Sequence, residues 1–188
     1  MSDKRALLLN SALELFYEKG TGTVGINEII AHSGVAKKTL YHHFSSKEDL
    51  ILAALSLRDQ RYLQWLRERL ADADSNADLV RQLFNALNDW FNDRATELGH
   101  FRGCFFINTA GESATRNQLI SDRCASHKVA VRRLITDSLP QPNDRLVDAL
   151  CLLKEGATTS AFVQGDKQAA LRCIDIALAF DTPAPFAV

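Results

Sequence analysis

Proline is almost missing from this chain: four in 188 residues, at 140, 142, 183 and 185, with none in the first 139. Glycine is sparse as well, at nine. Proline and glycine are the residues that break helices, and their scarcity, with runs of leucine and alanine and few β-branched side chains, predicts an all-α fold. An excess of either charge is also lacking. Twenty-two Lys and Arg stand against 23 Asp and Glu, which excludes a broadly basic protein and leaves only a local patch to attract a polyanion. Long uncharged runs are missing too. The longest stretch without Asp, Glu, Lys or Arg is the ten residues 156–165, against the roughly 20 that a membrane-spanning helix requires. No membrane partner is expected. The start, Met1-Ser2-Asp3-Lys4-Arg5, carries an acid and lacks an apolar core with a small-residue cleavage site, so no signal peptide and a cytoplasmic location are expected. Cys104, Cys124, Cys151 and Cys173 form no CxxC pair and read as free thiols, small core residues in that compartment. GxSxG, a phosphate loop ending in Lys-Ser/Thr, and HExxH do not occur, so neither catalytic residues nor a cofactor are assigned.

An apolar share of 46% is enough to build one large or two small cores. In residues 4–19, Leu8, Ala12, Leu15 and Phe16 recur at helical spacing, and Gly20 and Gly22 end the helix. A short helix over 26–33 turns Ile26, Ile29 and Ile30 inward, and Gly34 supplies the positive φ of a sharp turn. A third helix over 36–44 carries Leu40, Tyr41 and Phe44 at a spacing that packs on the first two. Ser45 or Ser46 caps a long fourth helix whose first turn holds Glu48 and Asp49. Longer helices are predicted over 47–72, 77–98, 104–113, 116–138, 144–164 and 167–180. The breaks fall at 72–76, 99–103, 113–115, the Pro140-Gln141-Pro142 stop and Gly165-Asp166.

A short helix, a glycine turn and a second short helix have the spacing of a helix-turn-helix, whose second helix enters the major groove of DNA. Charge is placed to suit. Between Val35 and Lys47 lie Lys37, Lys38, His42, His43 and Lys47 with no acid, although the first fifty residues balance six Lys/Arg against six Asp/Glu.

The segments Ile26-Asn27-Glu28-Ile29-Ile30, Gly34-Val35-Ala36, Thr39-Leu40-Tyr41-His42-His43-Phe44 and Ser46-Lys47-Glu48-Asp49-Leu50 resemble the TetR/AcrR family of transcriptional regulators. The resemblance covers about residues 5 to 55; beyond it only length and helical layout agree. It implies that Lys37 and Lys38 face base edges and phosphates, that Thr39, Tyr41 and Lys47 grip the backbone, and that His42 lies near base edges or the flanking phosphate. Lysine reaches acceptors on guanine, whereas hydroxyls outside the groove fix register without reading sequence. Two positions depart from the family pattern. Gly25 stands where Ser or Thr usually caps the second helix and contacts a phosphate, and Ile30 replaces alanine where the two helices cross. Tri-helical units of this kind also serve as protein-interaction modules.

The resemblance further implies a palindromic double-stranded DNA operator, a homodimer, a small-molecule effector and, most simply, a repressor. It places a helix-turn-helix domain at 1–47 and a helical effector and dimerisation domain at 48–188. The alternative is a helical ligand-binding or scaffold protein whose helix-turn-helix does not bind DNA. Leu146, Leu150, Leu153, Ala157, Ala161, Ile174 and Leu178 are candidates for the dimer interface, or else ordinary intrachain core. Trp65, Phe84, Trp90, Cys104, Phe105, Asn108, Glu112 and His127 combine aromatic surface with a few polar groups, as ligand sites do, though the aromatics could equally fill a solid core. The resemblance also suggests Cys104 as a thiol sensor, the alternative being an inert thiol. His100-x3-Cys104 and Cys124-x2-His127 have ligand-like spacing, but such pairs are common by chance and no metal is expected.

Overall fold

The computed structural model describes residues 2–113 and 117–181, and all regular structure among them is helical. The helices are α1 (Ser2–Lys19), α2 (Ile26–Ser33), α3 (Lys37–His43), α4 (Lys47–Arg69), α5 (Asn76–Phe91), α6 (Phe105–Ser113), α7 (Gln118–Ser138), α8 (Asp144–Val163) and α9 (Ala169–Leu178). A short 3-10 turn, Thr96–Leu98, lies between α5 and α6. The expected break at 113–115 falls, from residue 114 on, outside the described residues, as do Pro183 and Pro185.

Two compact units share these helices. The first holds the described residues up to Gln60 together with Cys104–Lys128; the second holds Arg61–Gly103 and the described residues from Val129 onward. The chain crosses between them inside α4, between Gly103 and Cys104, and inside α7. Packing therefore does not divide the chain at residue 47, because α6 and the first half of α7 contribute Phe105, Phe106, Ile120 and Cys124 to the core formed by α1 to α4.

In the first unit the apolar stripe of α1 behaves as its spacing predicts, with Leu8, Ala12, Leu15 and Phe16 all buried. Gly20 adopts φ 89° and returns its N–H to the Phe16 carbonyl at 3.0 Å, ending α1. Gly34 adopts φ 67° and its N–H closes α2 on the Ile30 carbonyl, a conformation that glycine takes without steric cost. Ser46 Oγ accepts the Asp49 N–H at 3.1 Å, and Asp49 Oδ2 accepts the Ser45 N–H at 3.0 Å. This reciprocal pair satisfies backbone donors at the start of α4.

In the second unit α5 packs against both α8 and α9, and α8 against α9. Tyr62, Trp65, Leu83, Phe84, Leu87, Trp90 and Phe91 form the centre of its core. Ser75 caps α5 by accepting the Asp78 N–H, and Asn143 caps α8 by accepting that of Leu146.

One expectation is corrected here. The fifth helix ends at Phe91 and does not continue to 98: Asp93 turns left-handed at φ 60°, and its Oδ1 accepts the Phe101 N–H at 2.6 Å, folding 93–101 back as a loop. Leu146, Leu150, Ala157 and Ala161, candidates for a dimer surface or for ordinary intrachain core, are buried in the core of the second unit. Leu153, Ile174 and Leu178 are half-buried against that core. The outward apolar surface of α8 and α9 is carried by Leu152, Phe162, Val163 and Ile176.

Candidate nucleic-acid interface

Helix α3 is anchored by Leu40 and by Phe44 just past its end, and its other side chains are exposed or half-buried. Leu40 and Phe44 are buried among Leu8, Ala12, Phe16 and Ile29 in the core of the first unit. Tyr41, expected with Leu40 and Phe44 to pack on the first two helices, is instead 48% exposed, so its ring lies on the outer face. Lys37, Lys38 and His42 are exposed beside it, while Thr39, His43 and Lys47 are half-buried. The His42 and His43 rings stand 5.1 Å apart. A continuous strip thus presents two lysines, a hydroxyl and an imidazole to solvent.

The electrostatics of this face follow from where its acids go. The first turn of α3 contains none. Glu28 on α2 is bound by Lys19 Nζ at 2.8 Å, an ion pair that raises the Lys19 ammonium above its ordinary value. Asp49 is engaged by Ser45 and Ser46. The Arg5 guanidinium lies 5.1 Å from the centre of the Phe44 ring, bringing α1 charge to the same end of the head. Gly25 leaves α2 without a side-chain cap, as its lack of a hydroxyl predicts.

The residues considered for a ligand site divide between the two units. Trp65, Phe84 and Trp90 lie in the core of the second, with Tyr62 and Trp65 centroids 5.3 Å apart and Trp90 and Phe101 at 5.0 Å. Trp65 Nε1 is buried with no hydrogen-bond partner among the described residues. Cys104, Phe105, Asn108, Glu112 and His127 belong to the first unit. Cys104 Sγ accepts from Lys128 Nζ at 3.3 Å, while burial pushes the Cys124 thiol up to about 11. Phe105 is core, edge-on to Tyr17. Glu112 is taken up by the turn between α1 and α2. Its Oε2 accepts from Thr21 Oγ1 at 2.7 Å and from the Gly22 N–H at 2.6 Å.

His127 is buried, stacked on Phe106 at 3.5 Å, and its Nδ1 lies 2.7 Å from Asp59 Oδ1. Arg123 binds the other Asp59 oxygen at 2.7 Å and reaches Ser56 Oγ. Burial alone pushes the Asp59 carboxyl up, but the hydrogen bonds and charges of His127 and Arg123 outweigh it and hold the acid below its ordinary value. Sequence reasoning named His127 but missed Asp59 and Arg123. A signal existed: Asp59 interrupts the helical stripe Leu55, Tyr62, Leu66, where a charge is expensive unless paired. Lys154 interrupts the stripe of α8 in the same way. It is 5% exposed, with Nζ 2.6 Å from Glu155 Oε1. Among the described residues no group of three or more His, Cys, Asp or Glu could hold a metal ion, and no helix is long and apolar enough to cross a membrane.

Comparison with known proteins agrees with this geometry. Residues 8–54 match the family described as bacterial regulatory proteins, tetR family. Over 88 residues the chain is 34% identical to the HTH-type transcriptional activator FasR of Mycolicibacterium smegmatis, a stretch covering 47% of this chain and 40% of that protein. Over 84 residues it is 32% identical to the HTH-type transcriptional repressor KstR2 of Mycobacterium tuberculosis, covering 44% of this chain and 40% of that one. The matched stretch thus spans under half the length of either relative. The crystal structure of a TetR-family transcriptional regulator from Streptomyces coelicolor superposes with a TM-score of 0.83 at 26% identity, covering 96% of this chain and 95% of that one.

Proposed function

Because the chain belongs to the TetR family of bacterial regulatory proteins, we propose that it regulates transcription by binding duplex DNA, as a homodimeric repressor released from its operator by a small molecule. The observation that carries this reading is the exposed strip of Lys37, Lys38, Tyr41 and His42 on a helix whose other side is locked by Leu40 and Phe44. A helix held this way keeps its outer side chains in fixed register for the major groove. In this reading Lys37 and Lys38 contact base edges and phosphates, His42 lies at the groove edge, and Thr39, Tyr41 and Lys47 fix the backbone. The DNA-binding role belongs to residues 1–47 and the effector and dimer roles to 48–188. The chain works in the cytoplasm, where its operator lies. Repression needs only occupancy of a promoter and no further surface.

A single short reading helix makes few contacts, so a second copy supplies the second half-site, about 34 to 36 Å away or a multiple of that. Leu152, Gly156, Thr159 and Val163 line one outward face of α8, with Leu152 75% and Val163 72% exposed. A large apolar side chain left in water at each end of a face of small residues suits a helix of the partner copy. The effector is received in the second unit among Trp65, Phe84 and Trp90, where the buried Trp65 Nε1 offers a donor. An effector that favours one disposition of the reading heads must itself be disfavoured by operator DNA to the same degree. About 3 kcal/mol of preference changes operator affinity roughly a hundredfold.

The test is selection of duplexes from a random-sequence pool by the full chain. The expected product is a two-fold symmetric motif with half-sites one helical turn, or a multiple, apart. A chain that enriches no sequence is the helical scaffold or ligand-binding protein of the alternative reading.

A further inference from the structure

We infer that Glu112 is a positioning residue for operator binding: from the end of α6 its carboxylate holds the turn from which the helix-turn-helix starts. This rests on the DNA-binding reading above. Three successive residues of the turn are fitted to that one carboxylate. Thr21 and Gly22 donate to Oε2 at 2.7 and 2.6 Å. Gly20, at φ 89°, leaves the room: a Cβ there would stand 2.5 Å from Glu112 Oε1. Thr21 is buried, so without Glu112 its hydroxyl loses the acceptor it was desolvated to meet, a costly outcome for a buried polar group. Hydrogen bonds of this length to a charged acceptor are the stronger kind.

Apart from Glu112, the Lys19–Glu28 ion pair ties the end of α1 to α2 across the turn at 2.8 Å, but both its side chains are more than a third exposed and neither belongs to the turn residues 20–24. The turn's backbone bonds are local, from Gly20 N–H to Phe16 and from Val24 N–H to the Gly20 carbonyl. The following helix starts at Gly25 with no side-chain cap. Val24 is buried below, which fixes depth but gives no direction. Glu112 therefore gives Thr21 and Gly22 themselves a directional polar anchor, drawn from a helix about ninety residues away in sequence. Its sign also argues for positioning. An acid on a DNA-binding unit repels the phosphate backbone, so charge alone makes Glu112 unfavourable for binding.

That conflict of signs supplies the experiment. Duplex DNA selected by the wild-type chain is titrated with E112A, E112Q and T21V, alongside an unrelated duplex, and amide exchange is followed at Gly22. Positioning predicts that E112A weakens the selected duplex about tenfold with the salt slope unchanged, because no phosphate contact is lost. Binding to the unrelated duplex should hold or strengthen slightly. E112Q, which keeps an oxygen acceptor, should retain most of the affinity, and E112A should do less harm in the T21V background than alone. Gly22 exchange should quicken in E112A. Equal or tighter binding of the selected duplex by E112A, or an E112Q as weak as E112A, or unchanged Gly22 exchange overturns the inference. A wild-type chain that selects no duplex overturns the DNA-binding reading itself and the operator role of Glu112 with it, a result distinct from wild-type selection followed by an indifferent E112A.

Discussion

Asp59 shows how one side chain can pass unnoticed in a sequence and then be explained by its neighbours. On α4 it occupies a core position, and it is tolerable there because His127 and Arg123 each bind one of its oxygens at 2.7 Å. Its folded carboxyl sits below its ordinary value. An acid shifted that way stabilises the fold at every pH above its unfolded value of about 3.9, and the contribution disappears as pH falls through the folded value. Urea titrations from pH 6 down to pH 2.5 should therefore show wild-type stability dropping more steeply than that of Asp59→Asn. At neutral pH the same variant should be less stable by about 3 kcal/mol, since it leaves the buried His127 and the half-buried Arg123 without their shared carboxylate. Identical acid profiles for the two proteins would show that the cluster contributes nothing through ionisation. Tyr41 is the opposite case. Its spacing suited either core or DNA, and only the packing of Leu40 and Phe44 decides that it faces out.

At the scale of the element, helices whose signals are local were legible. Gly20, Gly34 and Ser46 act through their own backbone and near neighbours, and the ends they were read to mark agree with the fold. The end of α5 was not, because the bond that fixes it joins Asp93 to Phe101 across a loop that no periodicity reveals. Gly34 and Gly20 separate backbone strain from collision. A Cβ at Gly34 would meet nothing within 4 Å, so Gly34→Ala should cost only the left-handed conformation, about 1 to 2 kcal/mol. Gly20→Ala adds the clash with Glu112 and should cost clearly more; chemical denaturation of both variants compares them. Equal losses would mean the carboxylate simply moves aside. Ser75→Ala, which removes the α5 cap, should cost about 1 kcal/mol in the same measurement.

For the whole molecule, the sequence revealed that α8 and α9 carry apolar stripes but not which side meets a partner. Leu146 and Ala157 have the same chemistry on an intrachain face as they would have in an interface, and only the packing of α5 against α8 and α9 tells the two apart. The candidate ligand residues scattered for a similar reason, since aromatics fill cores and line pockets alike. With Leu152, Val163 and Ile176 left outside, Leu152→Glu should turn a dimer into a monomer by sedimentation equilibrium while leaving the helical content unchanged. A variant still dimeric at micromolar concentration would place the interface elsewhere.

The central claim is that α3 and the start of α4 meet duplex DNA through their lysines. The most direct measurement is the salt dependence of binding to a selected duplex by the wild-type chain, Lys38→Ala and Lys47→Ala. Each lysine that neutralises a phosphate releases counterions, so the wild-type affinity should fall steeply with salt, and each substitution should reduce the slope of log K against log salt by about one. A flat wild-type dependence, or slopes that the two substitutions leave unchanged, would contradict the account.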